Sequence, residues 1–173
     1  MNWTARISLL LAALALGGCV QTQLVDSTRA ATYSVVDVRV DASAAANRRP
    51  RGFDATEIEV EQLFDRVVTE KLGAANPAAA QSIYVDVDLT SIFLTNPVRS
   101  LLLSGNSTAV ASVTVRDAAT ERMLEGPFEL NGGDIGLGGA GNAATTAVRG
   151  ERGLLTSLAE MIAFRTSVAI FGT

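Results

Sequence analysis

The chain has no histidine, one cysteine and one lysine in 173 residues, and aromatic side chains make up only 5% of it. Without histidine, a Ser–His–Asp triad, an imidazole general base and an imidazole metal ligand are all excluded. A single cysteine excludes an internal disulfide and a thiolate zinc cluster. Charged residues amount to 18% and the net charge is -4, so the broad basic footprint of a nucleic-acid binder is missing. What the chain does have is apolar substance. Hydrophobic residues reach 48%, enough to bury a core and unlike the composition of a disordered chain. The length suits one domain.

The N-terminus carries the most specific pattern. Arg6 precedes a mostly apolar run over residues 7–16, the layout of a secretory signal. That run is too short to cross a bilayer stably, which takes about 20 residues. It ends in Leu16-Gly17-Gly18-Cys19, where the chain's only cysteine follows two small residues. This stretch resembles the bacterial lipobox. The resemblance implies cleavage before Cys19 and acylation of Cys19; an ordinary signal followed by a stray thiol is the plainer alternative. Several acyl chains on one residue give stable attachment, at about 0.8 kcal/mol per buried methylene. Val20 stands where, in proteobacterial lipoproteins, an Asp favours inner-membrane retention, so the resemblance implies the periplasmic face of the outer membrane. The expected organisation is a signal peptide over 1–18, a lipidated N-terminus and tether over 19–32, and one periplasmic domain over 33–173. Without Arg6 the remaining chain has 13 basic and 18 acidic residues, a net -5.

Beyond the tether, periodicity predicts an α/β (α+β) domain. Residues 33–41 alternate, with Val36, Val38 and Val40 on one side and Asp37, Arg39 and Asp41 on the other. A helix follows, opened by a capping box at Asp54/Glu57 or Thr56/Glu59. Its apolar stripe is Val60, Leu63, Phe64, Val67, Val68 and Leu72, and Gly73 ends it. Residues 82–94 form a second strand with Ile83, Val85, Val87 and Leu89 inward. Residues 108–116 form a third and 122–130 a fourth. Pro127 cannot donate a ladder hydrogen bond, which places the fourth strand at an edge or on a bulge. The last helix starts at Thr145 or Glu151 and runs to Ala169. Leu154, Leu155, Leu158, Ile162 and the stem of Arg165 line one face, widened by Met161, Phe164 and Val168. The expected architecture is a four-stranded sheet with two helices packed on one face, in the order strand-helix-strand-strand-strand-helix.

A lipobox followed by this order is similar in layout to several small proteobacterial envelope lipoproteins, including the lipopolysaccharide-assembly type. Residues 108–124 are similar to a recurring hairpin of theirs: an alternating strand, a turn containing Asp117 and a return strand. The likeness is one of layout and implies an envelope role without naming functional residues.

Candidate chemistry is sparse. Gly136, Gly138 and Gly141 fit G-x-G-x-x-G, but no βαβ unit follows and only one helix remains, so a flexible loop or a flap that closes on a partner accounts for them better than a dinucleotide site. Asp86 and Asp88 share one strand face; paired carboxylates can hold a cation or divide acid and base roles, and alternation alone also makes them a solvated face. Arg48, Arg49 and Arg51 form the one basic cluster, a candidate contact for anionic lipid or else a solvated loop. Leu101, Leu102 and Leu103 are a candidate partner contact or the start of the third strand. No G-x-S-x-G elbow is present, and a Ser–Lys dyad would depend on Lys71.

These readings converge on a non-catalytic, lipid-anchored envelope protein that needs no cofactor and does not bind nucleic acid. It would bind or scaffold an envelope protein or glycolipid, with Cys19 as anchor and the Leu triplet and glycine run as contacts. The alternative is an auxiliary lipoprotein of an envelope lipid or ABC-type transport system, holding lipid in an apolar groove between helices and sheet. An envelope hydrolase using Asp86 and Asp88 is the third reading.

Overall fold

The computed structural model describes residues 22–46, 54–73, 75–95, 106–133 and 139–173, with side chains in the last stretch from Gly150 onward. In chain order the elements are α1 (Ser27–Ala30), β1 (Tyr33–Asp41), α2 (Ser43–Ala46), α3 (Glu57–Leu72), β2 (Gln81–Phe93), β3 (Thr108–Asp117), β4 (Met123–Gly133) and α4 (Gly139–Phe171). The four strands form one sheet in the order β1-β2-β3-β4. β1 pairs parallel with β2, across the α3 crossover, and the other two pairings are antiparallel. This is the expected α+β architecture.

The inner face of the sheet alternates as a half-buried sheet must. Ile83, Val85, Val87 and Leu89 of β2 and Ala109, Ala111, Val113 and Val115 of β3 are all fully buried. They meet Val60, Phe64, Val68 and Leu72 of α3 and Leu155, Leu158 and Ile162 of α4 in one core. Among the described residues these side chains fill the space between the two helices and the sheet. Residues 150–171 are long and apolar enough to cross a membrane, yet 61% of that stretch is buried inside the protein.

α3 starts where the sequence placed it, and of the two possible capping boxes the second forms. The Thr56 hydroxyl accepts from the Glu59 N–H, and the Glu59 carboxylate accepts from the Thr56 N–H at 2.8 Å. β4 is the edge strand that Pro127 demands, and its register slips opposite Val113–Val115, beside Gly126 and Pro127.

Four expectations need correction. On β1, Val36 is not an inward residue: it is 54% exposed, while Val38 is buried and Val35 packs against the core. Val35 pairs with Ile83 and Asp37 with Tyr84, so Val36 is an extra residue in the ladder. Such a bulge reverses the alternation, and the inward set becomes Tyr33, Val35, Val38 and Val40. On α4, Phe164 is exposed rather than part of the buried face, and the Lys71 ammonium stands 5.8 Å from its ring centre. The small residues Ala159 and Ala163 occupy the close contact instead. β4 continues through Asn131, Gly132 and Gly133, which the sequence reading had placed in the loop. A side chain at 132 would stand 3.1 Å from the Ile162 side chain, so the missing Cβ lets α4 lie close on the strand. α4 itself begins at Gly139 and breaks at Gly150, whose φ of 61° and ψ of -176° leave the helical region.

The fourth correction bears on function. Residues 22–32 are docked on the domain. The Leu24 and Val25 N–H groups both donate to the Ala169 carbonyl, at 2.8 and 3.1 Å, and Gln23 Nε2 donates to the Ile170 carbonyl at 3.0 Å. Asp26 caps α1 by accepting from the N–H groups of Thr28 and Arg29, and Val25 and Ala30 are buried in the core. Burial of those two apolar side chains, with backbone pairing to the end of α4, outweighs the freedom a polar tether would keep.

Candidate functional site

Two surfaces and one part-buried polar cluster gather charged groups from different elements. The first surface is a cleft of about 630 Å³ between α3 and the break in α4. Its apolar floor includes Ala55, Leu63 and Leu155, and its polar lining includes Glu59, Gln62, Arg66, Glu151 and Arg152. Of the three carboxylates in the lining, those of Glu59 and Glu151 are occupied by the fold, and the exposed Asp54 lies at the rim. Glu151 accepts from the N–H groups of Asp54 and Ala55, at 3.1 and 2.7 Å, and holds the approach to α3. Glu59 completes the capping box, which together with Arg152 at 3.6 Å holds its carboxyl below the usual range. The guanidinium of Arg66 and the strongly exposed one of Arg152 are the cations turned to solvent. The cleft thus offers an apolar floor rimmed by charges of both signs, Arg66 and Arg152 against Asp54, a lining suited to an amphiphilic ligand.

The second surface is the open face of the sheet. Asp86 and Asp88 share it, as alternation predicts, and pair with Arg39 and Asp41 of β1. Arg116 binds the Asp86 carboxylate, and Arg39 stacks 3.9 Å over the Tyr84 ring while bonding Glu121 at 3.3 Å. Burial, then the nearby charges of Asp41 and Asp86, pushes the Asp88 carboxyl up from its ordinary value. The two aspartates are therefore unlike: one is held by an arginine and the other by nothing comparable. Among the described residues no group of three or more acidic, cysteine or histidine side chains is placed to hold a metal ion.

The third feature went unseen in the sequence. Glu125 of β4 pairs with Val115, so its carboxylate points to the helix-covered face of the sheet. It is 13% exposed and one of its oxygens takes both the Tyr33 hydroxyl, at 2.9 Å, and Arg29 Nη2, at 2.8 Å. Burial, then this hydrogen bond, pushes the tyrosine hydroxyl above its ordinary value. Arg29 also donates to the Leu124 carbonyl at 3.4 Å. The cluster ties α1 and the first residue of β1 to β4 at the opposite edge. The signal for it was an acidic residue on the inward parity of an edge strand, opposite Val115.

The residues proposed from sequence fall as follows. Cys19, Arg48, Arg49, Arg51, Leu101, Leu102, Leu103, Gly136 and Gly138 lie outside the described residues. Gly141 lies in α4 before the break. The elements flanking the Leu triplet and the glycine run end together, because Phe93 pairs with Thr108 and Thr108 with Gly133. The opposite end gathers the starts of β1, β2 and β4, the 117–122 turn and residues 22–32.

Comparison with protein-family models, with curated proteins and with solved structures finds no match to this chain.

Proposed function

We propose that this chain is a lipid-anchored envelope protein that binds or scaffolds an envelope protein or glycolipid and does no chemistry of its own. The observation that supports the reading is the short step from the lipobox-like Leu-Gly-Gly-Cys19 to a docked backbone at Leu24. An anchor joined so closely to a folded body serves local concentration and docking at a membrane better than reach into solution. Its place is the periplasmic face of the outer membrane, following Val20. The transport alternative draws on the cleft between α3 and α4, which has room for part of an amphiphile.

The test is mass spectrometry of the protein purified from envelopes, with a pull-down comparing wild type and Cys19→Ser. The reading expects an acylated Cys19 and a co-purifying protein or glycolipid that is lost in the variant. An unmodified Cys19, or a Cys19→Ser protein that stays membrane-bound to the same extent, refutes it.

A further inference from the structure

The position and stiffness of residues 22–32 point to how the domain sits on its membrane; the inference rests on the anchored reading above. Cys19 precedes Thr22 by three peptide units, a reach of about 10 Å at full extension. From Gln23 onward the chain is fixed: Gln23, Leu24 and Val25 bond the end of α4, and Arg29 and Tyr33 bond Glu125. An acylated Cys19 therefore holds this end of the sheet close to the lipid headgroups.

The side chains at that end suit such a neighbour. Leu24 is 49% and Met123 52% exposed, two of the five large apolar side chains left in solvent among the described residues. Arg29, 54% exposed, and the exposed Arg122 flank them. Of the nearby acids, Glu125 is paired with Arg29, Asp26 is occupied in capping α1, Asp117 accepts from the N–H groups of Ala119 and Thr120, and Glu121 is drawn back onto Arg39, which leaves Arg122 as the cation without a described acidic partner at this end. Exposed apolar tips with arginines beside them are the pattern of a surface lying at the headgroup–acyl boundary.

We propose that the end of the domain bearing Leu24, Arg29, Arg122 and Met123 rests on the bilayer that holds Cys19. The strands then rise from the membrane, and the last residue of the nine-residue β1 stands about 25 Å from its first along the strand.

The only tryptophan, Trp3, lies in the signal segment, so the mature chain is a dark background for fluorescence. Acylated Leu24→Trp, Met123→Trp and Ile58→Trp proteins are reconstituted into phosphatidylethanolamine–phosphatidylglycerol vesicles carrying brominated acyl chains. Ile58 is the control: it is 64% exposed in the first turn of α3, whose N-terminal half bonds Ala42 at the opposite end of β1. The expected result is about twofold quenching at positions 24 and 123 and none at 58. Vesicle flotation and circular dichroism accompany each variant, and the two reporter positions guard against misfolding of either. Flotation without quenching at both 24 and 123, or with equal quenching at 58, overturns the orientation and leaves the anchor standing. Failure of the acyl-processed wild type to float overturns the anchored reading itself.

Discussion

The Glu125 cluster makes a sharp demand on Tyr33. Tyr33→Phe keeps the ring and removes only the hydroxyl that donates to Glu125 at 2.9 Å. A hydrogen bond to a charged group contributes about 1.5–3 kcal/mol. Glu125 retains Arg29 on the same oxygen, so no orphaned charge is left and the low end applies, about 1.5 kcal/mol. For a domain of this size each kilocalorie moves Tm by about 2–4 °C, so the variant melts about 3–6 °C lower. Arg29→Gln costs less, within about 1 kcal/mol, because that guanidinium is half in solvent and the pair is screened. Together the two changes strand a carboxylate that is 13% exposed, and the double variant loses more than the sum. Thermal denaturation of the four proteins in one buffer measures this. Hydrogen exchange adds a local reading. Freed of its link to β4, α1 frays, and the Leu24 and Val25 amides, which now bond Ala169, exchange faster than those of β2. A Tyr33→Phe melting point within about 1 °C of wild type, with unchanged exchange at Leu24 and Val25, refutes the claim that the cluster holds the N-terminal segment.

Two other expectations follow from single contacts. Gly132→Val pushes a branched side chain into Ile162, 3.1 Å from the position of its Cβ, and overpacking of this kind costs about 1–3 kcal/mol; Gly132→Ala costs less, and urea denaturation ranks the three proteins. Asp88→Asn tests a sign. The Asp88 carboxyl lies above its unfolded value, so its stabilising share is whole below that value and is lost as pH rises through the folded one; the variant is therefore more stable than wild type at about pH 7, with the gain vanishing near pH 3. Asp117 is held low by Thr120 and Gln81, so its share is present at neutral pH and lost as pH falls, and Asp117→Asn is destabilised at about pH 7 and matches wild type in acid.

The sheet and both long helices were legible because their cores are periodic. Ile83, Val85, Val87 and Leu89 repeat at two, and Val60, Phe64 and Val68 repeat at four, with the buried face following directly. What escaped were features that no repeat encodes. One extra residue at Val36 reversed the phase of β1, and a run of four alternating and adjacent valines at 35, 36, 38 and 40 gives no local sign of which is the odd one. Asn131, Gly132 and Gly133 have poor strand propensity and pair only because Ala109 and Val110 of β3 are already in place beside them. Glu125 reads as an exposed charge until Arg29, nearly a hundred residues earlier, is brought to it. Asp26 before Ser27 was a legible cap, but a four-residue helix is too short to announce itself by pattern. Of the candidate sites, only the Asp86–Asp88 pair, read from sequence as a cation or acid–base pair or a solvated face, could be followed from alternation into geometry. There the arginines that engage the carboxylates arrive from β1 and β3.

The docked N-terminus changes what an anchor at Cys19 can do. A free 14-residue tether over 19–32 behaves as a coil of about 20 Å and lets the domain take any orientation. Docking shortens the free link to the residues before Thr22, about 10 Å when extended. An anchor on so short a link restrains direction as well as position, and the surfaces are then no longer equivalent. On the proposed orientation the Leu24–Met123 end faces lipid, whereas the end of the sheet at Phe93, Thr108 and Gly133 stands away from it. Ala46 and Asp54, which flank the arginine cluster, lie on the Asp41 side of β1, because Ala42 bonds Glu61 in the first half of α3. On the proposed orientation a partner approaching through the aqueous space meets the cleft that Arg66 and Arg152 line. Replacing the docked segment by a flexible one of equal length would leave the acyl anchor intact and abolish that distinction. Quenching would then equalise between positions 58 and 123, the outcome that separates orientation by docking from attachment alone.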